Sequence, residues 1–318
     1  MRFGGPFPYT GPLATPETIV RTARAVEAMG FDHVWIGDHL IYPKQMKTKY
    51  PYTEDGSLPI AATENFFEIF TLLSWIAGQT TRLELSTNVI LLPLRQPAVV
   101  ARQIASLDAL SGGRFRMVVG LGWMEDEYEV VNVPWKQRGR ILDASIEAIR
   151  ALFEERAHAS EWFSFGETHF YPKPVQSPFP IWIGGDSEAA IRRAARLGNG
   201  WQPVGPARDL GWNGGMRKRA QWLKDGMDRL NAERVKAGRE NEPFGLLNSI
   251  GLLTTGQGAV TMSDRKDQLL DDVAVLAEAG CTHLNVLFNE LNSSGPLEQI
   301  LDEAQWFAEE IIPATRHL

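Results

Sequence analysis

Cysteine is nearly absent from this sequence, with one in 318 residues. A single cysteine cannot form an internal disulfide, which agrees with a reducing compartment. The N-terminus lacks the apolar stretch of a signal peptide, and no apolar run approaches the roughly 20 residues that span a bilayer. These absences predict a cytoplasmic protein without a membrane partner.

Excess basic charge and the common hydrolase motifs are absent too. The net charge is −7, so we expect no nucleic-acid partner. The six histidines show no H-x-H or HExxH spacing, and no G-x-S-x-G elbow occurs, so we expect no metal site and no serine nucleophile of that kind. Cys281 opens an apolar run and is interpreted as a packing residue.

The chain repeats a unit in which an amphipathic helix ends at glycine and a short apolar strand follows, as at Gly30 and Gly280. The first helix is capped by Thr15, begins at Pro16 and ends before Gly30. Further helices are predicted at about 65–77, 96–110, 138–155, 188–197, 215–237, 265–279 and 297–311, and strands at about 2–5, 33–37, 83–91, 115–120, 181–183, 200–204, 246–253 and 282–288. Eight such units predict an α/β fold, a single (β/α)8 TIM barrel over residues 1–318.

Two segments exceed what a barrel needs. Residues 39–64, after strand 2, contain half of the tyrosines (Tyr42, Tyr50 and Tyr52) and are either a solvated surface loop or a lid. Residues 157–180, before strand 5, hold two β-prone runs around Gly166-Glu167. We expect them to form a hairpin over the mouth, the end of the barrel formed by the carboxyl ends of the strands.

Barrel enzymes keep their functional residues at the mouth, so each strand end is informative. Asp38 and His39 follow strand 2, although Asp38 could instead accept backbone hydrogen bonds. Strand 3 carries the polar residues Ser86-Thr87-Asn88, and strand 4 ends in Gly120-Leu121-Gly122-Trp123, whose glycines permit a close approach to the backbone. Strand 5 ends in Gly184-Gly185-Asp186-Ser187, which has the form of an anion site but also of a simple helix N-cap.

These motifs together resemble the luciferase-like monooxygenase superfamily, and within it the branch of coenzyme F420-dependent oxidoreductases. The order and spacing of the motifs agree over most of the chain. The matching stretches are Trp35-Ile36-Gly37-Asp38-His39-Leu40, Leu92-Pro93-Leu94-Arg95-Gln96-Pro97, Leu107 to Phe115, Gly120 to Trp123, and Pro180 to Gly185 continuing to Gly198-Asn199-Gly200-Trp201.

The resemblance implies a flavin or deazaflavin ring in the mouth, against a cis peptide bond between Asn88 and Val89. Asp38 and His39 would lie near the reactive edge of the ring. The residues that it implies for cofactor binding are Asp38, His39, Thr87, Asn88, Val89, Gly122, Trp123, Gly184, Gly185, Asp186 and Ser187. Gly185, Asp186 and Ser187 would hold the phosphate. We also expect part of the tryptophan excess (Trp35, Trp123, Trp182 and Trp201) to line this flat-cofactor site.

One position departs from the pattern. Sugar-phosphate dehydrogenases of this superfamily carry a catalytic Glu directly after the Gly-x-Gly of strand 4, where this sequence has Trp123. Glu125 and Glu127 are near but out of register. We therefore do not expect sugar-phosphate oxidation, and we assign any proton transfer to His39 as the catalytic residue.

The leading hypothesis is hydride transfer between coenzyme F420 and an apolar organic substrate. The alternatives are a two-component monooxygenase that uses FMN, oxygen and a separate reductase, and a non-catalytic flavin-binding barrel. Lys44, Lys47 and Lys49 could attract the acidic tail of F420. The resemblance further suggests a homodimer.

Overall fold

Parallel strands close into an eight-stranded barrel in the computed structural model, which describes residues 1–51, 53, 55–58, 63–205, 215–251, 261–288 and 296–318. The strands of the described residues are β1 Arg2–Gly4, β2 His33–Ile36, β3 Glu84–Thr87, β4 Ile90–Leu91, β5 Phe115–Gly120, β6 His158–Ala159, β7 Ser164–Phe165, β8 Ile181–Gly184, β9 Gly200–Gln202, β10 Gly245–Gly251 and β11 His283–Leu287. The order around the barrel follows the chain, and β3 pairs with β5 to close it. The predicted barrel is confirmed; the end of its seventh strand, at Leu252 and Leu253, lies outside the described residues.

Helices surround the barrel at the predicted places. Those of the described residues are α1 Pro16–Met29, α2 Ile69–Ala77, α3 Pro97–Ser111, α4 Glu125–Val130, α5 Arg138–Phe153, α6 Glu188–Leu197, α7 Met216–Lys236, α8 Lys266–Glu278, α9 Leu297–Glu310 and α10 Ile312–Thr315. Thr15 caps α1 by accepting a hydrogen bond from the Thr18 N–H, and Gly30 ends it with φ +91°. The short helices α4 and α10 were not predicted. None of the described helices is both long and apolar enough to cross a bilayer.

The third barrel strand is interrupted between β3 and β4. The peptide bond between Asn88 and Val89 is cis, as the resemblance implied. β3 pairs with β2 and with the start of β5, whereas β4 pairs with the end of β5. The interruption places Asn88 and Val89 at the mouth.

The barrel interior contains an apolar cluster and a group of buried polar residues, and Trp182 contacts both. Trp182 packs with Val118 and Leu247, and its indole fills the space over two glycines, Gly200 and Gly245. Trp182 is therefore a core residue, and its expected place in the cofactor site is wrong.

On the polar side of the interior, Arg116 pairs with Glu84 at 2.9 Å. His33 bonds Asn285 at 2.8 Å. Burial, with Arg116 nearby, lowers the pKa of His33 to about 3, so this histidine is neutral at ordinary pH. Cys281 is also buried, which raises the pKa of its thiol to about 12 and agrees with a packing role.

The segment 157–180 forms a small hairpin, but it does not cover the mouth. Strands β6 and β7 are joined by residues 160–163, so the turn is not at Gly166-Glu167. Gln176 donates to the carbonyl of Phe115, the first residue of β5, at 2.6 Å. The reason is topological: this segment leads from a helix into a strand, and such connections lie at the amino ends of barrel strands.

Candidate active site at the barrel mouth

Asp38 fixes the loop that leaves β2. Its two carboxylate oxygens accept hydrogen bonds from Arg95 at 2.6 and 2.8 Å, and one also accepts the Leu91 N–H at 2.9 Å. The Asp38 side chain is 1% exposed. These contacts favour the structural interpretation of Asp38, because they occupy the oxygens that the resemblance would turn toward a cofactor.

His39 pairs with a glutamate that is distant in sequence. Its Nδ1 lies 2.9 Å from Oε2 of Glu127, and Oε1 of Glu127 accepts the Leu40 N–H at 2.6 Å. The Glu127 side chain is fully buried. A histidine oriented by a buried carboxylate is an arrangement that proton-transfer sites use.

The acidic helix α4 holds the loop after β2 at a second point. Asp126 accepts hydrogen bonds from the Lys47 N–H and from the N–H and hydroxyl of Thr48, at 3.1 to 3.3 Å. The Lys47 ammonium lies 2.6 Å from Glu129. Lys47 is therefore paired on the protein surface, which weakens the expectation that it attracts an acidic cofactor tail.

Aromatic rings surround His39. Tyr42, Phe66 and Trp123 lie 5.0 to 5.8 Å from its ring, centroid to centroid, and Tyr50 stands edge-on to Trp123. Burial raises the pKa of Tyr42, so its phenol stays neutral. The described part of segment 39–64 thus contributes an aromatic wall at the mouth; Tyr52 lies outside the described residues.

Residues of the interrupted third strand connect to other strands. The Thr87 hydroxyl exchanges hydrogen bonds with the backbone of Val118 at 2.7 Å, so this side chain is committed to the barrel wall. Asn88 accepts a hydrogen bond from the Gln202 amide at the end of β9. Asn88 and Gln202 therefore form a polar pair at the mouth.

Val89 and Leu91 explain several glycines that were expected to admit a cofactor. A Cβ on Gly184 would lie 2.7 Å from Val89 Cγ1, and one on Gly122 would lie 2.9 Å from Leu91 Cδ2. Gly120 is likewise covered by Val89. At these glycines, therefore, the atoms that lie close to the backbone belong to the side chains of Val89 and Leu91.

The end of β8 and the start of α6 keep an open glycine. Gly185 has φ +114°, with Ala190 Cβ the nearest neighbour of an added methyl, at 3.4 Å. Asp186 accepts the N–H groups of Val204 and Gly205, and Ser187 caps α6 by accepting the Ala190 N–H. The N-cap interpretation of Ser187 is confirmed, while phosphate binding here stays a prediction.

Two of the other expected tryptophans differ in their surroundings. Trp201 is fully buried outside the barrel, where a Cβ on Gly226 of α7 would lie 2.5 Å from its ring. Its indole N–H donates to the Gly185 carbonyl at 2.8 Å, so Trp201 supports the end of β8 and does not line the mouth with its ring. Trp35 is buried beside Tyr9. Its indole Nε1 has no hydrogen-bond partner among the described residues.

Sequence reasoning missed Arg95, Gln202 and Glu127 as parts of this site. Glu127 does not match the position of the family glutamate, so the resemblance assigns it no role. A usable signal was present, since Glu127 ends a run of three acidic residues that begins two positions after the Trp of the Gly-x-Gly-Trp motif. No spacing rule links it to His39, 88 residues earlier.

Comparison with known proteins agrees with this architecture. An uncharacterized protein of Mycobacterium tuberculosis is 37% identical over 204 residues, which cover 63% of this chain and 69% of that protein. An F420-dependent glucose-6-phosphate dehydrogenase of Kineococcus radiotolerans is 29% identical over 192 residues, covering 58% of this chain and 52% of the dehydrogenase.

A solved structure gives the fold independently. The oxygenating constituent of 3,6-diketocamphane monooxygenase from Pseudomonas putida, in complex with FMN, superimposes with a TM-score of 0.70 at 15% identity, covering 99% of this chain and 98% of the other. A family model for luciferase-like monooxygenases matches residues 1–249. The chain therefore belongs to the luciferase-like monooxygenase family and is an enzyme of the oxidoreductase or monooxygenase type.

Proposed function

We propose that this enzyme transfers a hydride between coenzyme F420 and an apolar organic substrate at the barrel mouth. When bound, the deazaflavin supplies the carbon that exchanges the hydride. The F420 dependence of the Kineococcus relative supports this cofactor. The aromatic wall of Tyr42, Phe66 and Trp123 beside His39 supports an apolar substrate.

One observation carries the assignment of a flat polar cofactor. Gln202, at the end of β9, has a buried Oε1 without a hydrogen-bond partner among the described residues. An unsatisfied buried acceptor costs about 1–3 kcal/mol, so a ligand that donates to it gains affinity. The pyrimidine edge of a deazaflavin or flavin carries an N–H donor that would satisfy this acceptor, which supports the placement of such a ring beside Gln202.

A titration of the purified protein with F420 and with FMN tests the cofactor assignment. We expect F420 to bind at least about tenfold more tightly than FMN, a difference of about 1.4 kcal/mol. Tighter FMN binding would reverse the order and favour the monooxygenase alternative. Binding of F420 without turnover of any apolar carbonyl, alcohol or enone would favour the non-catalytic barrel.

Replacement of Gln202 tests where the ring binds. Gln202→Leu removes the unpartnered acceptor, and we expect about fivefold weaker F420 binding, as loss of one hydrogen bond implies. Gln221→Leu on the outer helix α7 is the matched control, and its F420 affinity should not change. Equal affinities in the two variants would show that the ring does not bind beside β9.

The proposal also includes the expected phosphate site at Gly185, Asp186 and Ser187 and a homodimeric assembly. Ser187→Ala should weaken F420 binding. The loss in binding free energy should exceed the loss in the free energy of unfolding. Sedimentation of the purified protein should give the mass of two chains. A separate reductase belongs to the FMN alternative, and dependence of turnover on added reductase would support that alternative.

A further inference from the structure

We infer that Glu127 is a positioning residue that holds the proton of neutral His39 on Nδ1 and so makes Nε2 the atom that accepts a proton. The structural part of this inference stands on the geometry of the two side chains. Its catalytic consequence rests on the proposed function. When a substrate is oxidised, a hydride leaves a substrate C–H bond for the cofactor, and the proton of the substrate O–H or N–H passes to Nε2. Reduction runs both transfers backwards.

The proton between the two side chains belongs to His39. An ionised carboxylate offers only acceptor atoms, so with Glu127 ionised the 2.9 Å contact between Nδ1 and Oε2 requires an N–H on the imidazole. The other oxygen of Glu127 is already committed to the Leu40 N–H at 2.6 Å. Two contacts thus converge on one fully buried carboxylate and fix its orientation.

The remaining ring nitrogen is the one available for chemistry. Nε2 of His39 has no hydrogen-bond partner among the residues that the structure describes, and the side chain is 16% exposed. The flanking rings of Tyr42, Phe66 and Trp123 hold the imidazole from its sides. Because Nδ1 faces Glu127, the opposite side of the ring carries the free lone pair.

Glu127 differs in this respect from its neighbour Asp126. Both carboxylates lie in the first turn of α4, and both hold the loop after β2. Asp126 contacts Lys47 and Thr48, whereas Glu127 contacts His39 itself. A purely structural role, loop anchoring, is therefore common to both residues, and of the two only Glu127 contacts the imidazole and can set its tautomer.

Glu127→Gln separates the two roles. The glutamine carbonyl can still accept the Leu40 N–H, which turns its amide NH2 toward Nδ1 of His39. Nδ1 must then accept a hydrogen bond, so the ring proton moves to Nε2. Asp126→Asn is the matched control because it removes the same charge from the same helical turn without touching His39.

Nitrogen-15 NMR of the cofactor-free protein reads the tautomer directly. A His39→Asn variant identifies the His39 signals among those of the six histidines. We expect the wild type and Asp126→Asn to have Nδ1 protonated and Nε2 bare, and Glu127→Gln to have the reverse. An unchanged tautomer in Glu127→Gln, or the same change in Asp126→Asn, would overturn the inference.

Acylation by diethyl pyrocarbonate gives a second readout, since the reagent attacks a bare ring nitrogen. We expect modification of His39, followed by mass spectrometry of its peptide, to slow at least tenfold in Glu127→Gln and to change less than twofold in Asp126→Asn. Equal rates in the wild type and Glu127→Gln would contradict the assignment of Nε2.

These readouts need neither F420 nor substrate, so the role of Glu127 and the proposed function can be refuted independently of each other. Tautomer and acylation results as expected, together with no F420 binding, would overturn the proposed function and leave the pairing of Glu127 with His39 standing. F420 binding with an unchanged tautomer in Glu127→Gln would do the opposite. Protection of His39 from acylation by bound F420 would support both.

Discussion

Gly184 offers a direct test of why the mouth contains so many glycines. In the structure, a methyl group at this position would lie 2.7 Å from Val89 Cγ1 and 3.3 Å from the carbonyl oxygen of Val119. Carbon atoms pack best at about 3.5–4.0 Å, so the overlap with Val89 is close to 1 Å. The other methyl of Val89 covers Gly120, which leaves the side chain little room to rotate.

We therefore expect Gly184→Ala to lower the free energy of unfolding by about 1–3 kcal/mol, the usual cost of overpacking a tight site. If Gly184 were glycine only to admit a ligand, the same change would cost nothing in the ligand-free protein. Urea denaturation followed by tryptophan fluorescence measures the difference. Gly166→Ala is the matched control, because a methyl there meets no atom of the described residues within 4 Å, and it should change stability by less than about 0.5 kcal/mol.

Shortening Val89 should relieve the overlap. Val89→Ala removes the Cγ1 atom that lies 2.7 Å from the added Gly184 methyl. The Cβ of residue 89, which remains, lies 3.8 Å from that methyl, an ordinary contact. Val89→Ala alone should cost about 1–2 kcal/mol through lost packing on Val118 and Trp182. The double variant should be at least about 1 kcal/mol more stable than the sum of the single changes predicts. A neutral Gly184→Ala, or strictly additive effects, would refute the reasoning.

Two further predictions concern charge. His33 has a folded-state pKa of about 3, and the unfolded chain takes up this proton near the usual 6.5, so stability should fall by roughly 1 kcal/mol per pH unit as pH falls from about 6 toward 3. His33→Gln should reduce this slope in acid denaturation, whereas replacement of the exposed His169 should leave it unchanged. Lys47→Gln should alter F420 affinity less than twofold because Glu129 already pairs with the ammonium, and a tenfold loss would restore Lys47 as a cofactor contact.

Local patterns predicted the barrel because its elements carry their own signals. The Thr15 cap, Pro16 and the left-handed Gly30 define α1 without reference to the rest of the chain. Buried strands that follow such helix ends then allow few arrangements other than a closed parallel barrel. The position of His39 at the mouth followed from the same order of elements.

Local sequence patterns did not predict which side chains line the mouth, because this depends on contacts between segments that are distant in the chain. A Gly-x-Gly motif indicates that some group lies close to the backbone, but it does not identify that group. In the closed barrel the groups are the side chains of Val89 and Leu91. A tryptophan on a strand can face the interior, as Trp182 does, or a helix outside, as Trp201 does. Strand alternation leaves that choice to the register of the sheet.

The sequence by itself determined the fold, the family and the strand ends at which chemistry is expected, because helix caps, glycine stops and apolar runs act over a few residues. Tertiary structure alone decided which side chains meet there. Glu127 reaches His39 across 88 residues, and Gln202 reaches Asn88 across 114. Such pairs form when closure of the barrel brings the carboxyl ends of separate strands together. A local sequence pattern spans only a few residues and cannot predict a contact between residues so far apart in the chain.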